Sequence, residues 1–380
     1  MTIQSIKVGL VGLGFIGKVH AHAYQSIAHC FSNPQVAAEL VAVLRSSTGR
    51  DGALLQSLGN PLETTEPDQF YQAGPDMVDI CTPNNLHLEE VEEAVRHGVH
   101  LYCEKPLGLN LQHARKIAEM AARAGILTHT ALVLRYSPAV YQSKAIIAAG
   151  LLGEIYNFRG LIFHNSYMDA SRPISWRLRN DQSGGGALAD LGIHILDLTR
   201  YLIGEVAWVN CQTRTLISQR PKEAGSSQMV PVDVDDWAHC TLGLANGPVG
   251  VVETTRMSGG AGSSTQMEIF GSQGSIHIDM KNPYNAIFYD HRKQQHTFGN
   301  LNLPAPEGIR PIASIYPPAK MSLGAGQDAH LASIYDFLIH IKEGTHSFLD
   351  FDEGLKAQEI LEAAYISASR DGEKITLPLG

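Results

Sequence analysis

The sequence predicts two α/β domains: a doubly wound parallel sheet at the N-terminus, and a C-terminal α+β domain with a large open, mainly antiparallel sheet. Up to residue 133, short β-branched apolar runs alternate with amphipathic helical stretches, as in parallel strands joined by crossover helices. Beyond that point, strand-like segments follow one another with turns between them. A chain of 380 residues also exceeds what one hydrophobic core usually organises. We therefore expect domains at residues 1–133 and 134–380.

The N-terminal elements follow from apolar periodicity. Strands are predicted at Ile6–Val11, Leu40–Leu44, Val78–Cys81, Val99–Cys103 and Ile126–Val133. Helices are predicted near Ile16–Ala28, Gly52–Leu58, Leu86–His97 and Leu111–Ala124. The last two helices are each followed by a glycine, which is common at helix C-termini.

The C-terminal elements are mostly strands. They are predicted at Ile155–His164, Val206–Ile217, Trp237–Leu244, Val249–Arg256, Met267–Phe270 and Ser275–Met280. Helices are predicted at Ala187–Tyr201, Asp328–Lys342 and Asp352–Ser369. Residues 218–231, 258–264 and 299–323 are predicted as loops, and the last is long enough to be a lid, a partner contact or a variable surface excursion.

Composition narrows the classes of function. The chain is 44% hydrophobic and 18% charged with a formal charge of −9, and it has no run of Lys and Arg, so nucleic acid is not an expected partner. No apolar run approaches the roughly 20 residues that span a bilayer, so no membrane association is expected. The five cysteines are odd in number and widely spaced, which predicts neither disulfides nor a metal site and favours a cytoplasmic location.

A glycine-rich turn follows the first predicted strand. Gly12, Gly14 and Gly17 fit G-x-G-x-x-G, with Phe15 and Ile16 between them, and a predicted helix begins there. Gly12 permits a tight turn, Gly14 lets the backbone approach a pyrophosphate, and Gly17 lets helix and strand pack closely. A dinucleotide is therefore the predicted ligand. A methyltransferase-type nucleotide fold, or a glycine turn without function, is the alternative.

The second predicted strand ends at Arg45 and Ser46 rather than at the acidic residue that usually holds the ribose hydroxyls of NAD. A cation followed by hydroxyls suits a 2′-phosphate. The predicted cofactor is therefore NAD(P), with NADP favoured over NAD. An arginine that merely begins a surface loop is an ordinary alternative.

Lys105 follows another predicted strand, where open α/β sheets bind ligands. A partly desolvated amine can exchange a proton with a substrate hydroxyl while hydride moves to a nicotinamide, and the adjacent Glu104 could orient it. Taken alone, Glu-Lys-Pro is also a common surface tripeptide.

Asp190 and His194 form the densest candidate site of the second domain. They are four residues apart on a predicted helix and so share a face, where a carboxylate can hold one imidazole nitrogen and leave the other for proton transfer. Gly184–Gly186 precede this helix and predict a close approach of the backbone to another group, which packing alone would hardly explain. A purely structural Asp–His pair is the alternative.

Taken together and in this order, these motifs resemble the Gfo/Idh/MocA family of oxidoreductases over essentially the whole chain. The motifs that carry the resemblance are the glycine turn, Thr82-Pro83-Asn84 with His87, Glu104-Lys105-Pro106, Trp176-Arg177, and Gly184–Gly186 with Asp190 and His194. The resemblance implies a Rossmann domain, NAD(P)-dependent oxidation or reduction of a sugar or polyol, and a homodimer or homotetramer formed through the C-terminal sheet.

Residue roles are implied by the same resemblance. Lys105 would be the catalytic lysine, with Asp190 and His194 beside the substrate. The residues that would line the cofactor are Thr82, Pro83, Asn84, His87, Glu104, Trp176 and Arg177. Trp176 and Arg135 would also contact substrate, although Val133 stands where the family often has an asparagine. A cis peptide bond between Lys105 and Pro106 is implied as well.

Two other functions remain compatible with the sequence. One is a non-catalytic NAD(P)-binding regulator of the same fold. The other is a redox-neutral, glycoside-processing enzyme that keeps its NAD bound.

Overall fold

A computed structural model describes residues 3–299 and 301–380 in two compact units. The first unit contains the chain up to Gly108, together with Gln112–Tyr136 and Gly308–Leu355. The second contains Leu109–Leu111, Ser137–Glu307 and Lys356–Gly380. The first unit thus extends past the single boundary expected after residue 133 and takes in a later segment of the chain.

The first unit is built on a parallel sheet whose strand order is β3-β2-β1-β4-β5-β6. Its strands are β1 (Gln4–Val11), β2 (Val36–Leu44), β3 (Leu62–Thr64), β4 (Met77–Ile80), β5 (His100–Cys103) and β6 (Thr128–Thr130). The sequence misses only the short edge strand β3 and extends β6 too far, because residues Val133–Tyr136 form a 3₁₀ turn.

The second unit is built on one open sheet with the order β16-β15-β14-β13-β7-β12-β11-β8-β17, antiparallel except for the β7–β12 pair. Its strands are β7 (Ile155–Phe163), β8 (Val206–Arg214), β11 (Trp237–Leu244), β12 (Val249–Thr255), β13 (Ser264–Gly271), β14 (Gly274–Asp279), β15 (Ile287–Asp290), β16 (Gln295–Phe298) and β17 (Ile375–Thr376). Residues 218–231, predicted as a loop, hold a short hairpin of β9 (Gln219–Pro221) and β10 (Met229–Pro231).

The described residues contain helices at all the predicted positions and three further helices. Together these helices are α1 (Phe15–Cys30), α2 (Gly52–Ser57), α3 (Pro67–Gln72), α4 (His87–Arg96), α5 (Leu111–Ala124), α6 (Pro138–Ala148), α7 (Asn180–Ser183), α8 (Ile193–Leu202), α9 (Ala325–Glu343) and α10 (Phe351–Ser369). The three further helices are α3, α6 and the single turn α7. The sequence analysis overlooked α3 and α6, although each begins with a proline in its first turn, where proline is favoured.

Helix α9 explains why a late segment of the chain joins the first unit. Its residues Leu331, Ile334 and Leu338 are fully buried, and the helix packs on α1 and β2. Burial of such side chains stabilises a fold by about 1.5–3 kcal/mol each. The periodicity of α9 reveals a helix, but it does not reveal which sheet the helix covers.

The remaining expectations concern loops, cysteines and membranes. Within residues 299–323, position 300 lies outside the described residues, and the rest includes 3₁₀ turns at Ile312–Ser314 and Ala319–Met321. All five cysteines are buried free thiols. Among the described residues, no helix is both long and apolar enough to cross a bilayer.

Candidate active site

The glycine turn lies where the strand order of the first unit reverses. Strands β1 and β4 are neighbours there, and ligands of open α/β sheets bind at the carboxyl ends of such a pair. Gly12 has φ = +90°, and its N–H donates to the carbonyl of Leu44 at 2.8 Å, which ties the turn to the end of β2. A Cβ on Gly17 would lie 2.0 Å from the Gly12 carbonyl oxygen, which confirms that this glycine permits close helix–strand packing.

The N-terminus of α1 is open to a ligand. A Cβ on Gly14 would have no heavy atom within 4 Å, and Phe15 is 78% exposed. The first turn of α1 holds no acidic residue. Free N–H groups and the helix dipole therefore favour a phosphate at this position, as the sequence predicts.

Arg45 follows β2, close to the same edge, but its charge is already engaged. Its guanidinium lies 3.1 Å from Asp51 and 3.1 Å from Glu63, and its side chain is only 12% exposed. Asp51 also accepts a bond from Lys18 at 2.7 Å, and the Lys18 and Arg45 contacts hold the pKa of Asp51 below its usual value. The cation that suggested a 2′-phosphate is thus paired with two carboxylates. Ser46 is exposed.

Thr82, Pro83 and Asn84 form the turn after β4, next to the glycine turn. His87 begins α4 and is fully buried, with ring nitrogens 3.2 Å from the carbonyl oxygen of Thr82 and 3.3 Å from that of Leu107. Burial lowers the pKa of His87, so the ring is neutral at pH 7. His87 joins the segments that follow β4 and β5, rather than presenting its ring to a ligand.

Glu104 and Lys105 follow β5 at the same edge of the sheet, and the Lys105–Pro106 bond is cis, as the family resemblance implies. Lys105 is half-buried, whereas Glu104 is buried. The Glu104 Oε2 atom accepts the backbone N–H of Lys105 at 3.2 Å. Burial would raise the pKa of Glu104, but the contact with the charged ring of His20, together with the charge of Lys105, lowers it to about 2. His20 is a contact that the sequence analysis missed.

In the second unit, packing accounts for Gly184–Gly186. A Cβ on Gly184, Gly185 or Gly186 would lie 1.9–2.2 Å from atoms of Leu109, Tyr365 and Asp235, respectively. Gly184 also has φ = +69°, the left-handed cap of α7. These glycines therefore do bring the backbone close to other groups, and the groups are Leu109, Tyr365 and Asp235, so packing explains them.

Asp235 organises the helix start that follows the glycines, and sequence analysis did not predict this role, because Asp235 is merely an acidic residue just before a strand. Its carboxylate accepts the N–H groups of Gly186 and Leu188, each at 2.8 Å. Tyr365 donates to the same carboxylate at 2.7 Å. These bonds cap a helical start that would otherwise leave N–H groups without partners.

Asp190 and His194 lie on the continuous helical segment that the sequence predicts, although its first part, Leu188–Gly192, is a π-helical turn. Such turns often occur at functional sites. Both side chains are half-buried. The Asp190 carboxylate lies 3.1 Å from Arg256 and 3.9 Å from Arg177.

Arg256 is a second residue that sequence reasoning missed, because it stands without a motif just after β12. It is 1% exposed and also donates to the carbonyls of Gly186 (3.0 Å) and Arg177 (3.2 Å). Burial would lower the pKa of Arg256, but the Asp190 carboxylate helps to raise it. Arg256 therefore keeps Asp190 paired with a permanent charge.

Trp176, Arg177 and Arg135 are the remaining residues that the family resemblance places near the cofactor or the substrate. Trp176 and Arg177 lie in a 3₁₀ turn, and the Arg177 guanidinium lies over the Trp176 ring at 4.3 Å, so the structure brings Arg177 to both Trp176 and Asp190. Arg135, in the first unit, is 3% exposed and lies 3.0 Å from Glu353.

The strand order 3-2-1-4-5-6, with a glycine turn at its reversal point, defines a dinucleotide-binding protein of the Rossmann class. Comparison with known families agrees. The oxidoreductase family with an NAD-binding Rossmann fold matches residues 6–131, and the GFO/IDH/MocA C-terminal domain matches residues 140–277. The chain belongs to the Gfo/Idh/MocA family of oxidoreductases, as the sequence motifs indicate.

Similar proteins cover two thirds or more of the chain. Levoglucosan dehydrogenase of Pseudarthrobacter phenanthrenivorans is 30% identical, with 97% of each chain covered. D-glucoside 3-dehydrogenase of Escherichia coli is 29% identical over 67% of this chain and 71% of that protein. A structure of levoglucosan dehydrogenase in complex with NADH and L-sorbose has a TM-score of 0.89 at 29% identity, with 99% of this chain and 100% of that chain covered.

Proposed function

We propose that this oxidoreductase transfers hydride between a nicotinamide cofactor and a secondary alcohol or ketone of a sugar or polyol. The observation that carries the proposal is the placement of Lys105 at the same sheet edge as the glycine turn, both in the first unit. Similar proteins named as levoglucosan, D-glucoside and inositol dehydrogenases support the substrate class.

The proposed chemistry is an alcohol oxidation whose atoms balance. A nicotinamide cofactor held at the glycine turn would supply the acceptor for the hydride of the carbinol carbon. Lys105 takes the hydroxyl proton, so that the alcohol becomes a ketone, and the same groups act in reverse during reduction. Asp190 and His194 would hydrogen-bond the sugar hydroxyls, with Arg256 fixing the Asp190 carboxylate.

Trp176 and Arg177 are also proposed to contact the sugar. Trp176 would offer a flat face to the sugar ring, with Arg177 beside it. Arg135 is left out of the proposed substrate site, because it is buried and paired with Glu353.

For the cofactor, we propose NAD rather than NADP. Sequence alone favours NADP because of Arg45, but the pairing of that guanidinium with Asp51 and Glu63 removes the free charge that a 2′-phosphate needs. The same two carboxylates would repel the phosphate.

Lys105→Ala tests the catalytic assignment. The change in NADH absorbance is followed with a panel of polyols, aldoses and anhydrosugars, using NAD and NADP, and Lys116→Ala on the exposed face of α5 is the matched control. Loss of a general base typically costs about 10²–10⁴-fold in turnover. Unchanged turnover by folded Lys105→Ala protein would refute the assignment. Tight cofactor binding without turnover of any sugar would instead favour a non-catalytic NAD(P)-binding regulator of the same fold.

We also propose that the second unit self-associates through its sheet. Val249 and Val251 are exposed on one face of β12, and Phe270 is exposed on β13. Exposed apolar residues on an open sheet favour association. Light scattering after size exclusion should give a dimer or tetramer for the native chain and a smaller species for Val251→Glu. A native monomer would refute this part of the proposal.

A further inference from the structure

The first unit contains a buried polar cluster that the proposed chemistry does not use. Its centre is His20 on α1, which is fully buried, and we call it the His20 cluster. Its other members are Tyr24, Asp79, Cys81, Glu104 and His330. The His20 ring also meets the edge of Tyr102, with ring centroids 5.4 Å apart.

One side of the His20 ring faces a buried carboxylate. Nδ1 lies 3.0 and 3.1 Å from the two oxygens of Asp79 and 3.1 Å from the Cys81 sulfur, and Tyr24 donates to Asp79 at 2.8 Å. Burial would lower the pKa of His20, but the charge of Asp79 and the hydrogen bonds with Asp79 and Cys81 raise it well above its usual value. His20 is therefore an imidazolium at neutral pH.

The other side of the ring faces Glu104. Nε2 lies 3.3 Å from Glu104 Oε1 and 3.1 Å from Nδ1 of His330. Burial and the charge of His20 lower the pKa of His330 to about 3, so His330 is neutral and can accept a hydrogen bond. The second oxygen of Glu104 accepts the backbone N–H of Lys105. An uninterrupted row of contacts thus runs from Asp79 through His20 and Glu104 to Lys105.

We propose that His20 is a positioning residue for Lys105: its imidazolium holds Glu104 against the Lys105 backbone and compensates the charge of that carboxylate, which acts on the Lys105 amine. The part of this inference that concerns catalysis rests on the proposed role of Lys105. The ion pair itself depends only on the buried geometry.

The two charges predict opposite effects on the Lys105 amine. If His20 becomes neutral, the negative charge of Glu104 acts alone and the amine keeps its proton to a higher pH. If Glu104 becomes neutral, the imidazolium acts alone and the amine releases its proton at a lower pH. The charges of Glu104 and Lys105 already act on each other, and a neighbouring charge can shift such a titration by about one pH unit or more.

The test therefore measures the amine directly. The NAD-loaded native chain and the variants His20→Gln, Glu104→Gln and His20→Gln/Glu104→Gln are labelled briefly with acetic anhydride across a pH series, and acetylation of Lys105 is quantified by peptide mass spectrometry. We expect the pH of half-maximal labelling to rise by about one unit in His20→Gln and to fall by about one unit in Glu104→Gln. The double variant should return close to the native value, which is the signature of coupled residues.

Tyr24→Phe is the matched control, because it removes a hydroxyl from the same cluster without altering the charge next to Glu104. It should lower the melting temperature and leave the labelling profile unchanged. Should His20→Gln fail to fold, the downward shift in Glu104→Gln still decides the question. Shifts in the same direction, or none, would overturn the inference.

Two further outcomes are separable. The side chains of His20, Glu104 and His330 are of types that can bind a metal ion. A stoichiometric metal in the purified native protein that is lost in His20→Gln would overturn the imidazolium assignment. Where sugars are oxidised, the pH profile of kcat/KM should shift with the labelling profile. Labelling shifts without any dehydrogenase activity would uphold the His20–Glu104 pair while refuting the proposed function.

Discussion

Because Arg45 is paired with Asp51 and Glu63, a single substitution at Glu63 should change the affinity for NADPH relative to NADH. Glu63→Gln removes one negative charge, 3.1 Å from the guanidinium, and keeps the shape of the side chain. A 2′-phosphate on the far side of the guanidinium would lie about 7 Å from the Glu63 carboxylate. Even with the screening of bulk water, its double charge would be repelled by about 1 kcal/mol, which corresponds to roughly five- to tenfold in affinity.

Fluorescence titration with NADH and NADPH measures this effect without a known sugar. The native chain should bind NADH more tightly than NADPH. Glu63→Gln should tighten NADPH binding roughly five- to tenfold and leave NADH binding nearly unchanged. Added salt should reduce the difference, since the interaction is electrostatic and the site is partly exposed.

Glu66→Gln is the matched control. It removes the same charge from an exposed residue that follows β3, whose carboxylate accepts a hydrogen bond from the Thr65 hydroxyl. It should alter neither affinity. The reasoning is refuted if the native chain already prefers NADPH, or if Glu63→Gln and Glu66→Gln change the NADPH affinity equally.

Three other substitutions test the structure. In Gly17→Ala, the new Cβ would lie 2.0 Å from the Gly12 carbonyl oxygen. The substitution should lower the free energy of unfolding in urea by roughly 1–3 kcal/mol and weaken NADH binding. Native-like values for both quantities would contradict the close packing. Burial raises the pKa of Glu90 to about 7, although a Thr82 hydroxyl bond opposes the shift. Because this folded-state pKa exceeds the unfolded value of about 4.3, the native chain loses stability as the pH rises from about 4 to 7, and Glu90→Gln should be the more stable protein at pH 8 but not at pH 4. Equal stability of both proteins in urea at pH 8 would refute this. Asp235→Asn weakens the cap at Gly186 and Leu188 and should lower stability by about 1 kcal/mol in thermal unfolding, with no effect on NADH binding. A loss of NADH affinity instead would show that Asp235 does more than cap the helix.

Features that depend on neighbours in the chain were predictable. Alternating periodicity located the parallel strands and their helices, and the spacing of Gly12, Gly14 and Gly17 located the turn, because the conformation of a tight turn depends on its own residues. Elements with a weak local signal were missed. The three-residue strand Leu62–Thr64 is too short for periodicity to show.

The site illustrates the same division. Lys105, Asp190 and His194 could be proposed as site residues from the sequence because each stands in a recognisable motif. Their neighbours in space stand in no recognisable motif, because they are distant in the sequence. His20 and His330 are 310 positions apart, and Arg256 is 66 positions from Asp190. The packing role of Gly184–Gly186 was not predictable for the same reason, since the atoms that exclude a Cβ there belong to residues distant in the chain.

By itself, the sequence determined the fold class, the family and the dinucleotide turn, because these depend on local periodicity and on short motifs. Only the tertiary structure decided that Arg45 is paired with carboxylates, that helix α9 covers the first sheet, and that His20 lies between two buried acids. The physical reason is that charge compensation and burial depend on which groups come within a few ångströms of one another. Contacts of that kind form between segments that are remote in the chain, where no local pattern records them.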